Sequence, residues 1–290
     1  MTRWFPRTLA AALVAAGLAG CGAKTETKAP VTAEAAPEAK EADGLPVAAA
    51  PRPAGPRDRL HQAFADAVRG ADDPPPGDAV RPPDETVSKK PVYKLLDAVK
   101  SGWDDIRFTT ADGKPIPYRA RVETSEGTID IELLPEQAPN HVRNFVALAR
   151  AGYYDELFFE RVRHDRNEMN QELHLVEAGC PLGTGTTSTG SIGYWLKEEF
   201  TPAAKMSHDE GVLGACRGEE PDSAATRFYI TLGKAPFLDG NYTVFGKVVA
   251  GLDVLRKIGQ APVVVDDEGA SRPEKPIVIR KVTVMTTEAK

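Results

Sequence analysis

Cysteine is scarce in this sequence, with three in 290 residues. A small fold stapled by several disulfides is therefore excluded. Basic residues are also in deficit, 36 Lys and Arg against 42 Asp and Glu, for a net charge of -6 with histidine neutral. A chain of that sign lacks the cationic field a general nucleic-acid binder uses to neutralise phosphates. Beyond the first twenty residues no apolar run approaches the ~20 residues of a membrane-spanning helix. The remaining composition, 41% hydrophobic and 27% charged, is that of an ordinary globular chain with room for one or two domains.

What is present begins with an address. Met1 to Arg7 carries two arginines, Thr8 to Ala19 is a short apolar stretch of small residues, and Leu18-Ala19-Gly20-Cys21 closes it. This layout reads as a signal peptide and resembles a bacterial lipoprotein signal, which implies cleavage before Cys21 and a lipid on its sulfur. Gly22 is not the aspartate that marks inner-membrane retention in some diderm bacteria. The expected place is thus the cell envelope, with the periplasmic face of the outer membrane favoured. Residues 21–56 are rich in Ala and Pro with no aromatic. They cannot bury enough apolar area to offset chain entropy, and read as a disordered tether. Residues 57–115 read as a short helical extension. Asp58 can cap a helix carrying Leu60, Phe64 and Val68, with His61 at the surface. Val92, Leu95, Leu96, Val99 and Trp103 fall on one face of a second helix. Both are expected to brace the domain that follows.

From residue 116 to 290 the pattern changes. Tyr118–Thr124 alternates, Ser125-Glu126-Gly127 signals a turn, and Thr128–Leu134 alternates again, predicting a half-buried antiparallel hairpin. Pro139 opens a helix with Val142, Phe145, Val146 and Ala149 inward and Gly152 as its stop. Short apolar runs follow at 158–162, 174–178, 211–215, 228–231, 243–249 and 277–285, with one more helix at 251–258. Many short strands and few helices predict a mainly β fold, a closed antiparallel barrel with helices at its ends.

Five segments, in this order, carry a resemblance: Phe159-Glu-Arg-Val162; Glu177-Ala-Gly-Cys-Pro-Leu-Gly-Thr-Gly-Thr186; Gly211-Val-Leu-Gly-Ala215; Pro221-Asp-Ser-Ala-Ala-Thr-Arg-Phe-Tyr-Ile-Thr231; and Phe237-Leu-Asp-Gly-Asn-Tyr-Thr-Val-Phe-Gly-Lys-Val-Val249. Together they resemble the cyclophilin family of peptidyl-prolyl cis-trans isomerases, here as a divergent bacterial member. The resemblance runs from about Tyr118 to the C-terminus. It implies an eight-stranded antiparallel barrel capped by helices, isomerase activity on X–Pro bonds, and Arg161 as the catalytic arginine. It further implies Tyr229, Phe228, Leu238, Leu175 (where the family has methionine) and Tyr242 (often histidine) around the substrate.

The departures from the family pattern are chemical. Glu177 and Arg227 stand where the family has glutamines, and could pair with each other, or Glu177 could pair with Arg161. His174 replaces a pocket phenylalanine. Phe237 replaces a tryptophan of cyclosporin-sensitive members, which implies weak cyclosporin binding. Arg217 lies near the family's backbone-gripping asparagine. The stretch from Arg163 to Glu172 is a polar insert expected to overhang the site. Cys180 and Cys216 are expected on loops flanking the same groove, buried thiols by default, with a disulfide as the alternative in an oxidising compartment. His141, His164, His174 and His208 show no ligand spacing, so no metal and no cofactor is expected. The partners expected are proline-containing polypeptides of exported proteins and a membrane reached through the lipid, without nucleic acid, for a monomer. The alternative function is a catalytically weak or inactive proline-peptide binding module or chaperone on the same tether.

Overall fold

Asp58 caps no helix in the structure, a computed structural model that describes residues 58, 60–70, 76–77, 81–166, 170–185, 190–199, 207–265 and 271–286. Its carboxylate instead accepts from the backbone N–H of Leu60 at 3.0 Å and of Phe108 at 2.6 Å. Only one helical turn forms, α1 (Phe64–Ala67), and it runs straight into a two-residue strand, β1 (Val68–Arg69). His61, expected at the surface, is turned inward with Nε2 3.0 Å from Asp104. The second expected helix is present as α2 (Val92–Gly102), burying Val92, Leu95 and Val99, with Trp103 fully buried in the turn after it. The expected signal peptide, the Cys21 lipidation and the 21–56 tether lie outside the described residues.

The hairpin follows as β2 (Tyr118–Thr124) and β3 (Thr128–Leu133), with alternate residues buried. Helix α3 (Pro139–Arg150) starts at a proline whose missing N–H costs nothing at the first helical position. Its next two N–H groups, of Asn140 and His141, donate to the Glu199 carboxylate at 2.9 and 2.8 Å. The chain continues through β4 (Leu157–Arg166), β5 (Glu172–Ala178), β6 (Trp195–Leu196), β7 (Val212–Ala215), β8 (Phe228–Thr231), β9 (Val244–Ala250), α4 (Leu252–Gly259), β10 (Val263–Val265), β11 (Ser271–Pro273) and β12 (Val278–Thr286). Eight strands close in the order β12-β2-β3-β9-β7-β8-β5-β4, every pair antiparallel, with β12 against β4 sealing the ring. This is the barrel the alternation predicts. Two short pairs lie outside it, β1 with β6 and β10 with β11.

Helix α3 leaves from the Leu133 end of β3. Helix α4 sits at the other end, where a Cβ on Gly127 would meet the Val254 side chain at 2.7 Å. The barrel is thus closed at both ends. Ala67, Val68, Val92, Leu95, Val99, Trp103, Ile106 and Phe108 belong to the same buried apolar cluster as the barrel interior, so the extension is a brace sharing one core with the barrel. Among the described residues no helix is long and apolar enough to cross a membrane.

Candidate active site

A bulge in β4 keeps the key arginine facing outward. Phe159 pairs with Ala178 and Arg161 with Glu177, so β4 advances two residues while β5 advances one. Glu160 is the surplus residue of a β-bulge. Before it, Leu157 and Phe159 point into the barrel; after it, Val162 does. The phase change turns Arg161 and Arg163 to the outside. There they meet Leu173, Leu175 and Glu177 of β5 and Tyr229 of β8, which alternation also turns outward.

These residues, with Cys216, Arg217, Arg227, Leu238 and Tyr242, line a hollow of about 110 Å³. Its floor is a small apolar cluster separate from the barrel core, built from Leu173, Leu175, Tyr229, Ala235 and Leu238 with Cys216, Phe237 and Tyr242 packed against it. A greasy floor beside fixed guanidinium donors can hold a compact apolar ring and hydrogen-bond to polar atoms next to it.

The charges behind the floor are paired in a definite order. Arg227, with 2% of its side chain exposed, donates a short hydrogen bond from Nη2 to Glu177 Oε2 and bonds Glu160 Oε1 through Nε at 3.1 Å. Its Nη2 also donates to Gly185 O at 3.0 Å. Burial opposes that charge, but Glu177, with Glu160 beside it, outweighs burial and holds the guanidinium above its ordinary pKa. Glu160 is fully enclosed. Burial, opposed by Arg227 and reinforced by Glu177, pushes its carboxyl up to about 7.

Arg161 is held far less tightly. Its Nη1 lies 3.8 Å from Glu177 Oε2 and donates to Gly185 O at 3.4 Å. Its Nε has no partner among the described residues, and 17% of the side chain is exposed toward the hollow. Glu177 therefore does both things the sequence left open. It grips Arg227 and stands behind Arg161 without closing on it. Arg163 reaches the other Glu177 oxygen at 3.9 Å and Asp165 at 2.6 Å. Arg217 stacks on the Tyr242 ring at 4.7 Å and is anchored by Glu198 at 3.1 Å and by the carbonyls of Gly218 and Asn241.

Three expected residues do not line the hollow. Phe228 points into the barrel, where it packs edge-on against Phe145 and Tyr154, because neighbours along a strand face opposite sides. His174 lies on the inward face beside His164, with the rings 4.8 Å apart, and His164 Nε2 is 2.6 Å from Gly259 O at the end of α4. That puts His174 at a barrel end, away from the hollow. Phe237 flanks the apolar floor without lining the hollow. The insert is a continuation of the β4–β5 hairpin, paired as far as Arg166 with Glu172, and it contributes Arg163; residues 167–169 lie outside the described set. Cys180 and Cys216 are thiols rather than halves of a disulfide, and Cys216 is only half-buried. Sequence reasoning missed Arg163 and Leu173 as lining residues. Their positions two apart from Arg161 and Leu175 on paired strands were the available signal.

A sequence profile of the family described as "Cyclophilin type peptidyl-prolyl cis-trans isomerase/CLD" matches residues 119–284, more than half of the chain. "Peptidyl-prolyl cis-trans isomerase-like 2" of Rhizopus delemar is 40% identical over 167 residues, 56% of this chain but only 28% of that protein. "Peptidyl-prolyl cis-trans isomerase-like 1" of Neurospora crassa is 34% identical over 167 residues, 58% of this chain and 94% of that protein. The chain thus spans a minor part of some relatives and nearly all of others. A crystal structure of a Cryptosporidium parvum cyclophilin type peptidyl-prolyl cis-trans isomerase aligns with a TM-score of 0.49 at 25% identity, covering 59% of this chain and 99% of that one.

Proposed function

Because this chain belongs to the cyclophilin-type peptidyl-prolyl cis-trans isomerase family, we propose that it accelerates cis–trans exchange of X–Pro bonds, with Arg161 as the catalytic donor. An X–Pro bond differs between its isomers by only ~0.5–1 kcal/mol, yet exchanges over tens of seconds or more. The barrier of ~18–20 kcal/mol is lost amide resonance. As the amide twists, the proline nitrogen becomes pyramidal and regains a lone pair. A donor aimed at that nitrogen stabilises the twisted state more than either planar state, which is the requirement for catalysis. A guanidinium never deprotonates and keeps its donors rigid.

The observation that carries this reading is the loose hold on Arg161 beside an apolar floor: its nearest carboxylate oxygen is 3.8 Å away while Arg227 donates its short hydrogen bond to that same atom. Leu175, Tyr229 and Leu238 would receive the proline ring. Arg217 and Tyr242 would flank the substrate backbone. The same arrangement bears on the alternative of an inactive binding module, since the exchanged charges at Glu177 and Arg227 satisfy each other instead of immobilising Arg161. The reading extends to place. Cys21 would carry a lipid and residues 21–56 would tether the domain to the cell envelope, where exported proteins would supply the X–Pro bonds.

The test is cis–trans exchange of a short Ala-Pro peptide followed by NMR, with the native chain and with Arg161→Ala. Acceleration that falls by about 100-fold or more, the range of one lost transition-state donor, is the expected result. Peptide binding with no faster exchange in the native chain would establish the binding module instead.

A further inference from the structure

His208 is almost wholly buried, belongs to none of the segments that carry the family resemblance, and does not line the hollow. It nevertheless touches both walls of it. Its Nε2 is 2.7 Å from the Tyr229 hydroxyl. Its Nδ1 is 2.6 Å from Asp239 Oδ1, and its backbone N–H donates to that same oxygen at 2.8 Å. Its carbonyl accepts from the backbone N–H of Ala235 at 2.8 Å. The turn from Ala235 to Asp239, which carries Phe237 and Leu238, is thus held at both ends by one residue. The ring of that residue also holds the wall contributed by β8.

The directions of these bonds follow from the groups. A carboxylate only accepts, so Nδ1 carries the ring proton. Nε2 of the neutral ring is then an acceptor, and Tyr229 O–H donates to it. Asp239 thereby fixes the tautomer, and the tautomer fixes the phenol. The phenol has a narrow path, because it crosses β7 at Gly214, where a Cβ would lie 2.2 Å from its oxygen. A phenylalanine could take the same path but would leave Nε2 with nothing to accept from.

We propose that His208 is a positioning residue that sets the separation between the Tyr229 and Leu238 walls of the proline-binding hollow, through the chain Asp239–His208–Tyr229. The proposal rests on the hollow being the proline site, and its effect is on peptide affinity, not on the donor that lowers the barrier. Loss of the link loosens both walls together.

The test uses the full chain and the Ala-Pro peptide, reading Kd from NMR shift titration and the exchange rate at saturating peptide. His208→Phe removes both side-chain links. His208→Gln keeps the backbone bond to Asp239 and offers Tyr229 an acceptor near the Nε2 position. Tyr229→Phe removes only the hydroxyl. Expected are a Kd raised about tenfold in His208→Phe, with the saturated rate changed by no more than about twofold, and recovery of most of that affinity in His208→Gln. Little further loss is expected when Tyr229→Phe is added to His208→Phe, since both cut one link. A Kd unchanged in a folded His208→Phe protein overturns the proposal, as does a drop in saturated rate without a change in Kd. Should His208→Phe fail to fold, the order of the other two decides: Tyr229→Phe must bind the peptide more weakly than His208→Gln, and the reverse order overturns the link. If the native chain binds the peptide without speeding exchange, the isomerase reading fails while the Kd series still judges His208.

Discussion

Arg227 and Glu177 replace two neutral amides by a buried ion pair, and such a pair is most informative when it is broken. Removing one partner leaves the other charged in a dry site, a loss on the order of 3–5 kcal/mol. Arg227→Gln should therefore destabilise the protein by about that amount in urea unfolding. Adding Glu177→Gln should recover part of it, because two amides can pair at that end while Glu160, which Arg227 also bonds, stays without its guanidinium. Glu160 gives a pH signature. Burial lifts its carboxyl from 4.5 to about 7 in the folded protein, so the folded state binds this proton more tightly than the unfolded chain. The associated stability is fully present below about 4.5 and is lost as pH rises through about 7. In Glu160→Gln that downward slope between pH 4.5 and 7 should disappear from a series of thermal melts. A slope unchanged by the substitution would place its origin elsewhere. The sequence offered the Glu177–Arg227 pair as one of two options and could not choose between them, and the part Glu160 plays was not legible at all. Glu177 and Arg227 are fifty positions apart, and residue types alone cannot say which of two nearby arginines a carboxylate will grip.

At the level of elements the sequence was far more explicit. Alternation in β2 and β3, Pro139 at the start of α3 and Gly152 after its end are local signals whose physics acts within a few residues, and each element formed where those signals put it. The first helix failed for a non-local reason, since the Asp58 carboxylate is taken by Phe108 N–H fifty residues away. The pairs β1–β6 and β10–β11 are too short for periodicity to register. Lys90 shows how the extension is held. Its ammonium donates to the carbonyls of Gly152 at 2.6 Å and Tyr153 at 3.2 Å, and makes a short bond to that of Asp155; burial lowers its pKa, with Asp155 opposing. Lys90→Met leaves those carbonyls unpaired and should lower stability by about 2 kcal/mol. For a domain of this size that is roughly 4–8 °C in Tm, measurable by differential scanning calorimetry.

For the whole molecule, the barrel interior faces one way and the site the other, on the outer face of the same strands. The brace ties its apolar residues into the barrel core and leaves the site face open. Cys21 belongs to this scale as well. If it carries the lipid, Cys21→Ser should move the protein from the membrane to the soluble fraction after cell fractionation while the exchange rate on Ala-Pro peptide stays the same. Retention in the membrane fraction would rule out the lipid as the anchor. The bulge at Glu160 adds a last consequence. Side chains alternate along a strand, and Glu160 is the surplus residue that the bulge absorbs. Deleting it would set Arg161 directly after Phe159 in plain alternation, still outward and still opposite Glu177, while removing the buried carboxylate that Arg227 bonds at 3.1 Å. Descendants of this sequence can thus lose position 160 and keep the direction of the arginine, so at this point of the strand the letter is more constrained than the count.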